Sequence, residues 1–249
     1  FKKNSYFDYE QSLIFGGSDG ISYYEISKNA PFISDIPLKP IHAERFFFSY
    51  LIGIISKITQ IEIYLLFRIF TFILIISINY YLIVFLKKYD KKFIFIILAL
   101  LLFNLNPYQT RFYIANPLII TDLFFILGSI MSINGIDNKN KKKFYIGLVI
   151  ASLARQSAIA IIISIFLIKV IRKDKFFISK LELIYSLFIF TLIYLMGFVY
   201  SKIGVQNVSH SDIYLVHFFG IFQENVSIEK IIIFIIWPFL SFSPLILFF

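Results

Sequence analysis

Apolar residues in this chain come in long continuous runs, separated by short polar stretches rich in lysine. Residues 61–86 and 231–249 are two such runs. A run of about 18 or more apolar residues reads as a membrane-crossing helix, because roughly 20 residues at 1.5 Å each cover the hydrocarbon core. Inside lipid the backbone must satisfy its own hydrogen bonds, which selects helices or closed barrels. The strict alternation of a membrane barrel is missing, since the runs are continuous. The pattern predicts spanning segments at 62–86, 93–106, 112–133, 144–171, 181–202 and 230–249. The fold class expected is all-α, a polytopic transmembrane helical bundle forming a single membrane domain over residues 1–249.

The first sixty residues read differently. They form an external loop with short helices at 5–14 and 21–29, the first capped by Asn4 or Ser5. Pro31, Pro37 and Pro40 break the chain after the second of these helices. Residues 46–58 are apolar but too short to span comfortably, which suits an interfacial helix anchored by Phe46, Phe47, Phe48 and Tyr50.

Charge sets the orientation. Three short loops are dense in positive residues: Lys87-Lys88-Tyr89-Asp90-Lys91-Lys92, Lys139-Asn140-Lys141-Lys142-Lys143 and Arg172-Lys173-Asp174-Lys175. Such loops belong on the cytoplasmic side. The polar segments 1–45 and 203–229 are sparser in Lys and Arg for their length and belong outside. One helix over 144–171 would put two positive loops on opposite sides. A hairpin with its tip near Arg155-Gln156 keeps both inside. Its arms are short, since 144–154 covers about 16 Å, so the tip should lie below the outer surface. Irregular backbone at that depth is tolerated where it lines a protein cavity or wet cleft, which predicts a recess opening outward. A single tilted helix through Arg155 is the rival arrangement.

Composition supports the membrane reading. The 249 residues are 59% hydrophobic, against about 45–50% in soluble domains, and the mean hydropathy is +0.81. The net charge of +9 follows from the loops and from anionic headgroups, not from nucleic acid. The chain has no cysteine, which excludes disulfides, thiolate metal sites and cysteine nucleophiles. It starts at Phe1 without methionine and stops inside an apolar run, as a fragment lacking an upstream helix would. No phosphate-cradling P-loop, HExxH or convincing Ser/His/Asp triad is present, so no nucleotide cofactor is expected.

The sharpest polar feature is Gly17-Ser18-Asp19-Gly20, followed by Tyr23-Tyr24. Gly16, Gly17 and Gly20 allow unusual backbone angles and close ligand approach around Asp19. Its carboxylate could take a proton from an acceptor hydroxyl, or bind a divalent cation, with Tyr23 and Tyr24 as substrate contacts. A turn aspartate bonding its own backbone explains the same residues. Asp8 and Glu10 lie near enough to be alternatives to Asp19, and Glu25 and Asp35 are weaker ones. His42 and Arg45 fall one helical turn apart and could face a phosphate; a solvated segment neutralised by Glu44 is the plainer reading. Arg155 lies within an apolar run, where a charge costs about 2.5–3.5 kcal/mol on insertion scales. It is either a ligand for a lipid-linked phosphate or a snorkelling side chain at a hairpin tip. Arg111 has the same two readings. Asp122, with Asn116 near it, is an intramembrane carboxylate and thus a functional candidate, or a structural partner for Arg68. His210, Asp212 and His217 could bind a metal, but match no strong zinc spacing. The sequons at Asn207 and Asn225 read as accidental in a chain of bacterial-looking composition.

The run Ser18-Asp19-Gly20-Ile21-Ser22-Tyr23-Tyr24 resembles the first external loop of the GT-C class of membrane glycosyltransferases. Residues 41–51 stand where that class has a basic segment and short interfacial helix. Ala154-Arg155-Gln156 resembles its basic hairpin turn. The match covers roughly the first fifty residues and the hairpin. It departs from the class in lacking the first transmembrane helix and a clear acidic pair. The resemblance implies transfer of a sugar from a polyprenyl-phosphate donor to a glycan, lipid or protein acceptor, on the outer face of a bacterial cytoplasmic membrane. Asp19 would be the catalytic base. Arg155, with Arg45 or His42, would hold the donor phosphate. The alternatives are a transporter or flippase for a lipid-linked or small anionic solute, using Arg155 and Asp122, and a noncatalytic envelope subunit.

Overall fold

The computed structural model describes residues 17–32, 40–88, 92–105, 110–172 and 178–204. Among them the structure is helical, with no strand. The order is α1 (Gly17–Asn29), α2 (Pro40–Ala43), α3 (Phe47–Thr59), α4 (Ile63–Lys88), α5 (Phe93–Leu105), α6 (Thr110–Ala115), α7 (Ile120–Asp137), α8 (Lys141–Ala154), a 3-10 turn (Gln156–Ala158), α9 (Ile159–Arg172) and α10 (Lys180–Gly204). Among the described residues, three helices are long and apolar enough to cross a membrane: α4, α7 and α10. The chain is an all-α membrane bundle. The expected segments 5–14 and 230–249 lie outside the described residues.

Two expectations need correction. Helix α1 begins at Gly17, not Ile21, so Gly17 and Gly20 sit in a helix instead of a loop. The single helix expected over 112–133 is two helices, α6 and α7, separated at Asn116-Pro117-Leu118-Ile119. Pro117 has no N–H to give and pushes Asn116 away from helical angles, which ends α6. The Asn116 N–H donates to the Phe112 carbonyl at 2.8 Å to close it.

The core lies between α4 and α7. Phe67, Leu74, Ile75, Ile78 and Leu82 form a stripe on α4 at helical spacing, packed on Leu118, Ile120, Leu123 and Leu127. The closest helix pair is α7 with α8. A Cβ added to Gly128 would sit 2.5 Å from the Ala151 nitrogen and 2.6 Å from the Gly147 carbonyl oxygen. One added to Gly147 would sit 2.5 Å from the Ser132 nitrogen. Small residues let two backbones approach in this way, and in lipid such close packing replaces the hydrophobic drive between helices. The Ser132 hydroxyl donates across the seam to the Phe144 carbonyl at 3.3 Å.

Helix α5 is mostly exposed and is held to α4 by polar groups. The Asn79 and Asn104 amides donate to each other at 3.1 and 2.8 Å. Half-buried amide pairs of this kind tie membrane helices where apolar contact does not discriminate protein from lipid.

The run 144–171 does fold back as a hairpin. Lys141, at the start of α8, pairs with Glu182 at 2.5 Å. Lys169, near the end of α9, donates to the Ile178 carbonyl at 2.7 Å. The far ends of both arms therefore meet the start of α10. Lys88 pairs with Asp137 at 2.7 Å, bringing the ends of α4 and α7 to the same region. Lys88 and Lys141 of the first two basic loops, with Lys169 near the end of α9, thus gather at one end of the bundle. Ser179 and Glu182 form a reciprocal capping box that fixes where α10 starts, with N···O distances of 2.7 and 3.2 Å.

At the hairpin tip, Arg155 and Gln156 face Phe190, Ile193 and Tyr194 of α10. That level is about 21 Å along α10 from Lys180, and the helix continues about 15 Å beyond it. The tip therefore turns inside the span of its neighbour. Helices α1 to α3 wall the bundle around and beyond it. Phe46 stacks on Tyr200 with centroids 3.9 Å apart, and Phe48 stacks on Phe124 at 3.6 Å. The Glu44 backbone lies against Gly197, where a Cβ would stand 2.5 Å from its carbonyl oxygen. The Ser27 hydroxyl of α1 donates to the Ser49 carbonyl of α3 at 2.6 Å. Helix α3 is thus seated on the bundle through Phe48, Ser49, Ile52 and Gly53.

Candidate functional site: a polar cluster at the hairpin tip

Arg155 stops α8. Its backbone is extended, with φ −153° and ψ 143°, between α8 and the 3-10 turn. Its N–H still donates to the Ala151 carbonyl at 2.9 Å, so the break leaves that donor satisfied. The guanidinium reaches Asp122 in the first turn of α7, with Nη1 to Oδ1 at 3.1 Å. A carboxylate there also faces the positive end of its own helix. The other carboxylate oxygen, Oδ2, accepts from the Tyr113 hydroxyl at 3.3 Å. An ionised carboxylate can only accept, so the phenol is the donor in this contact.

A second chain of contacts joins this pair to the segment before α3. Arg45 Nε donates to Gln156 Oε1 at 3.2 Å, and Gln156 Nε2 donates to Glu44 Oε2 at 2.6 Å. His42 is buried, with its ring 5.3 Å from that of Tyr23. Tyr23 is buried as well. Burial pushes its phenol up, while the neighbouring Arg45 guanidinium pulls it part of the way back. Two arginines and two carboxylates from three separate parts of the chain therefore converge around the break. Beside them is a small space lined by Glu44, Ser152, Arg155 and Gln156 on one side, and by Phe190, Ile193 and Tyr194 on the other. It has room for about one water-sized atom.

Arg155, Arg45, His42 and Tyr23, four of the residues singled out by sequence, are brought together. Tyr24, the neighbour of Tyr23, instead packs against the α4–α7 core. Arg111 is exposed on α6 and takes no part in the contacts at the tip. The pairing of Asp122 with Arg68 is wrong: Arg68 stacks over the Tyr64 ring at 4.7 Å, and Arg155 takes the carboxylate. The backbone of Asp19 lies in the first turn of α1, one turn before Tyr23; its side chain lies outside the described residues. Asp8, Glu10, Asp35, His210, Asp212 and His217 also lie outside them. Among the described residues, no group of three or more His, Asp or Glu side chains is placed to hold a metal.

The sequence alone does not single out Tyr113 or Ser152, and it marks Gln156 only as part of the hairpin turn and Glu44 only as a neutralising charge. Neither Gln156 nor Ser152 stands out among polar residues by type. Their positions beside Arg155 are the signal that could have found them. No family model matches the chain, and no curated protein or solved structure matches it.

Proposed function

We propose that this protein is a membrane glycosyltransferase. In this reading it moves a sugar from a polyprenyl-phosphate donor to an acceptor on the extracytoplasmic face of a bacterial cytoplasmic membrane. One observation carries the reading. A guanidinium is held at a helix break inside the bundle, oriented by Asp122, with a second arginine bonded to the adjoining Gln156. Charges at that depth are costly and are kept where they meet a substrate or a partner. Arginine is suited to phosphate because its planar fork matches two oxygens.

In the proposed mechanism, Arg155 and Arg45 hold the donor phosphate, and Asp122 fixes the orientation of Arg155. As the bond between the sugar's anomeric carbon and the phosphate oxygen breaks, the leaving phosphate gains negative charge, which fixed guanidinium groups stabilise. Asp19 takes the proton of the acceptor hydroxyl as that oxygen bonds to the anomeric carbon. His42, Tyr23 and Gln156 shape the polar wall. The basic end of the bundle faces the cytoplasm, which leaves the tip reachable from the other side.

The test is sugar transfer by the protein reconstituted in lipid, using polyprenyl-phosphate sugar donors. Asp19→Asn should abolish transfer while sparing donor binding. Arg155→Ala should lose both. A transport reading draws on the same ion pair, since broken helices inside the membrane also build transporter sites. Uptake of an anionic solute into sealed vesicles, with no sugar transferred, would replace the proposal with that one.

A further inference from the structure

Two polar groups at the hairpin tip are buried without a hydrogen-bond partner among the described residues: the Ser152 Oγ and the Arg155 Nε. Both residues line the same small space between the tip and α10. Ser152 is more than nine-tenths buried, at 8% exposure. The Nε–H of arginine can only donate, and a serine hydroxyl can donate beside it. One acceptor oxygen satisfies both, and the space fits one oxygen. The Nη1 of the same guanidinium is taken by Asp122. The Nε edge is therefore free for a ligand while the ion pair stays in place.

The far wall of this space is largely apolar. It is made by Phe190, Ile193 and Tyr194 of α10, a helix whose outer side is exposed along its length, with Tyr194 itself at 40%. By length and composition α10 can cross a membrane, and a side exposed there would meet lipid. An oxygen arriving past α10 belongs to a molecule already in the bilayer.

We infer that the Ser152 hydroxyl and the Arg155 Nε–H together bind one oxygen of the phosphate of a membrane lipid, with Asp122 as the positioning residue that turns the guanidinium to meet it. This rests on the transferase reading for the kind of lipid, and adds Ser152 as a binding residue. Asp122 touches no ligand in this arrangement.

The test uses the full chain in nanodiscs, with three probes: polyprenyl phosphate, the neutral polyprenol and inorganic phosphate. Wild type should bind polyprenyl phosphate well above polyprenol, and inorganic phosphate should not compete. Ser152→Ala should weaken polyprenyl phosphate binding about tenfold, equal to about 1.4 kcal/mol, with polyprenol unaffected. Ser152→Thr keeps the hydroxyl and should restore most of the affinity. Arg155→Lys keeps the charge but loses the Nε–H, and should fall by at least as much as Ser152→Ala. If Ser152→Ala does not fold, the Thr and Lys variants still decide the matter. Equal binding of phosphate lipid and polyprenol would show that the space holds only water, and would overturn the inference. Competition by inorganic phosphate at similar affinity would overturn the lipid source. The two proposals fail separately. Ser152-dependent lipid binding without any sugar transfer sinks the transferase alone; full-rate transfer and unchanged donor affinity in Ser152→Ala sink the Ser152 site alone.

Discussion

Removing either member of the Asp122–Arg155 pair should cost more than removing both. Charge centres about 4 Å apart attract by about 4 kcal/mol at an effective dielectric near 20. The Arg155 and Asp122 side chains retain 33% and 21% of their exposure, so part of that attraction is screened and part offsets desolvation. Fully exposed pairs keep only about 0.2–1 kcal/mol, whereas hydrogen bonds to charged groups contribute about 1.5–3 kcal/mol. A coupling of about 1–3 kcal/mol is expected for this half-buried case. The assay is a double-mutant cycle with Asp122→Ala, Arg155→Ala and the double variant, read by reversible unfolding in bicelles. Asp122→Ala should be the most damaging, because it strands a guanidinium that cannot shed its proton. A coupling within about 0.5 kcal/mol of zero, the usual error of additivity, would mean that the pair does not hold the hairpin tip to α7.

Other outcomes rest on the packing. Gly147→Val places its new carbon 2.5 Å from the Ser132 nitrogen and 2.6 Å from the Gly128 carbonyl oxygen, both backbone atoms. The helices must part, and thermal stability should fall by at least the ~1–3 kcal/mol typical of overpacking; a wild-type melting curve would contradict the seam. Asn79→Leu leaves the Asn104 amide with lost partners and should cost about 1–2 kcal/mol, while Asn79→Leu with Asn104→Leu should cost less than the single change. The same unfolding measurement checks both. Arg111→Ala should leave stability within about 0.5 kcal/mol of wild type and leave donor binding unchanged, since Arg111 is exposed and away from the tip contacts. A large loss of binding would return Arg111 to the site.

The hairpin is legible in the sequence because charge parity demands it. Two lysine-rich loops flank one apolar run, and only a fold-back puts both on one side. Helices α4 and α10 are legible for the simpler reason that an apolar run of that length has few alternatives. The break after α6 escapes a reading by hydropathy, which runs smoothly across Pro117 although the proline is in plain view. The start of α1 is misplaced because glycines suggest a loop, whereas packing overrides the small penalty that glycine carries in a helix. The α7–α8 seam is invisible for a different reason. Gly128 with Ser132, and Gly147 with Ala151, show four-residue spacing, but which helix faces which is a property of the folded bundle. The same ignorance of neighbours produces the Arg68 pairing. Arg155 and Asp122 each announce themselves as charges in apolar surroundings, but their partnership cannot be read from a separation of 33 positions.

Function at the hairpin tip requires Arg155 to stand at a fold-back that opens on the side opposite the lysines. The chain has no cysteine, so single cysteines report without background. Ser157 and Lys142 are both exposed, at the tip and at the basic end. Ser157→Cys and Lys142→Cys should be labelled by a membrane-impermeant thiol reagent from opposite sides of sealed vesicles, position 157 from outside the cell and 142 from inside. Labelling of both from the cytoplasmic face would contradict the outward recess and the function built on it.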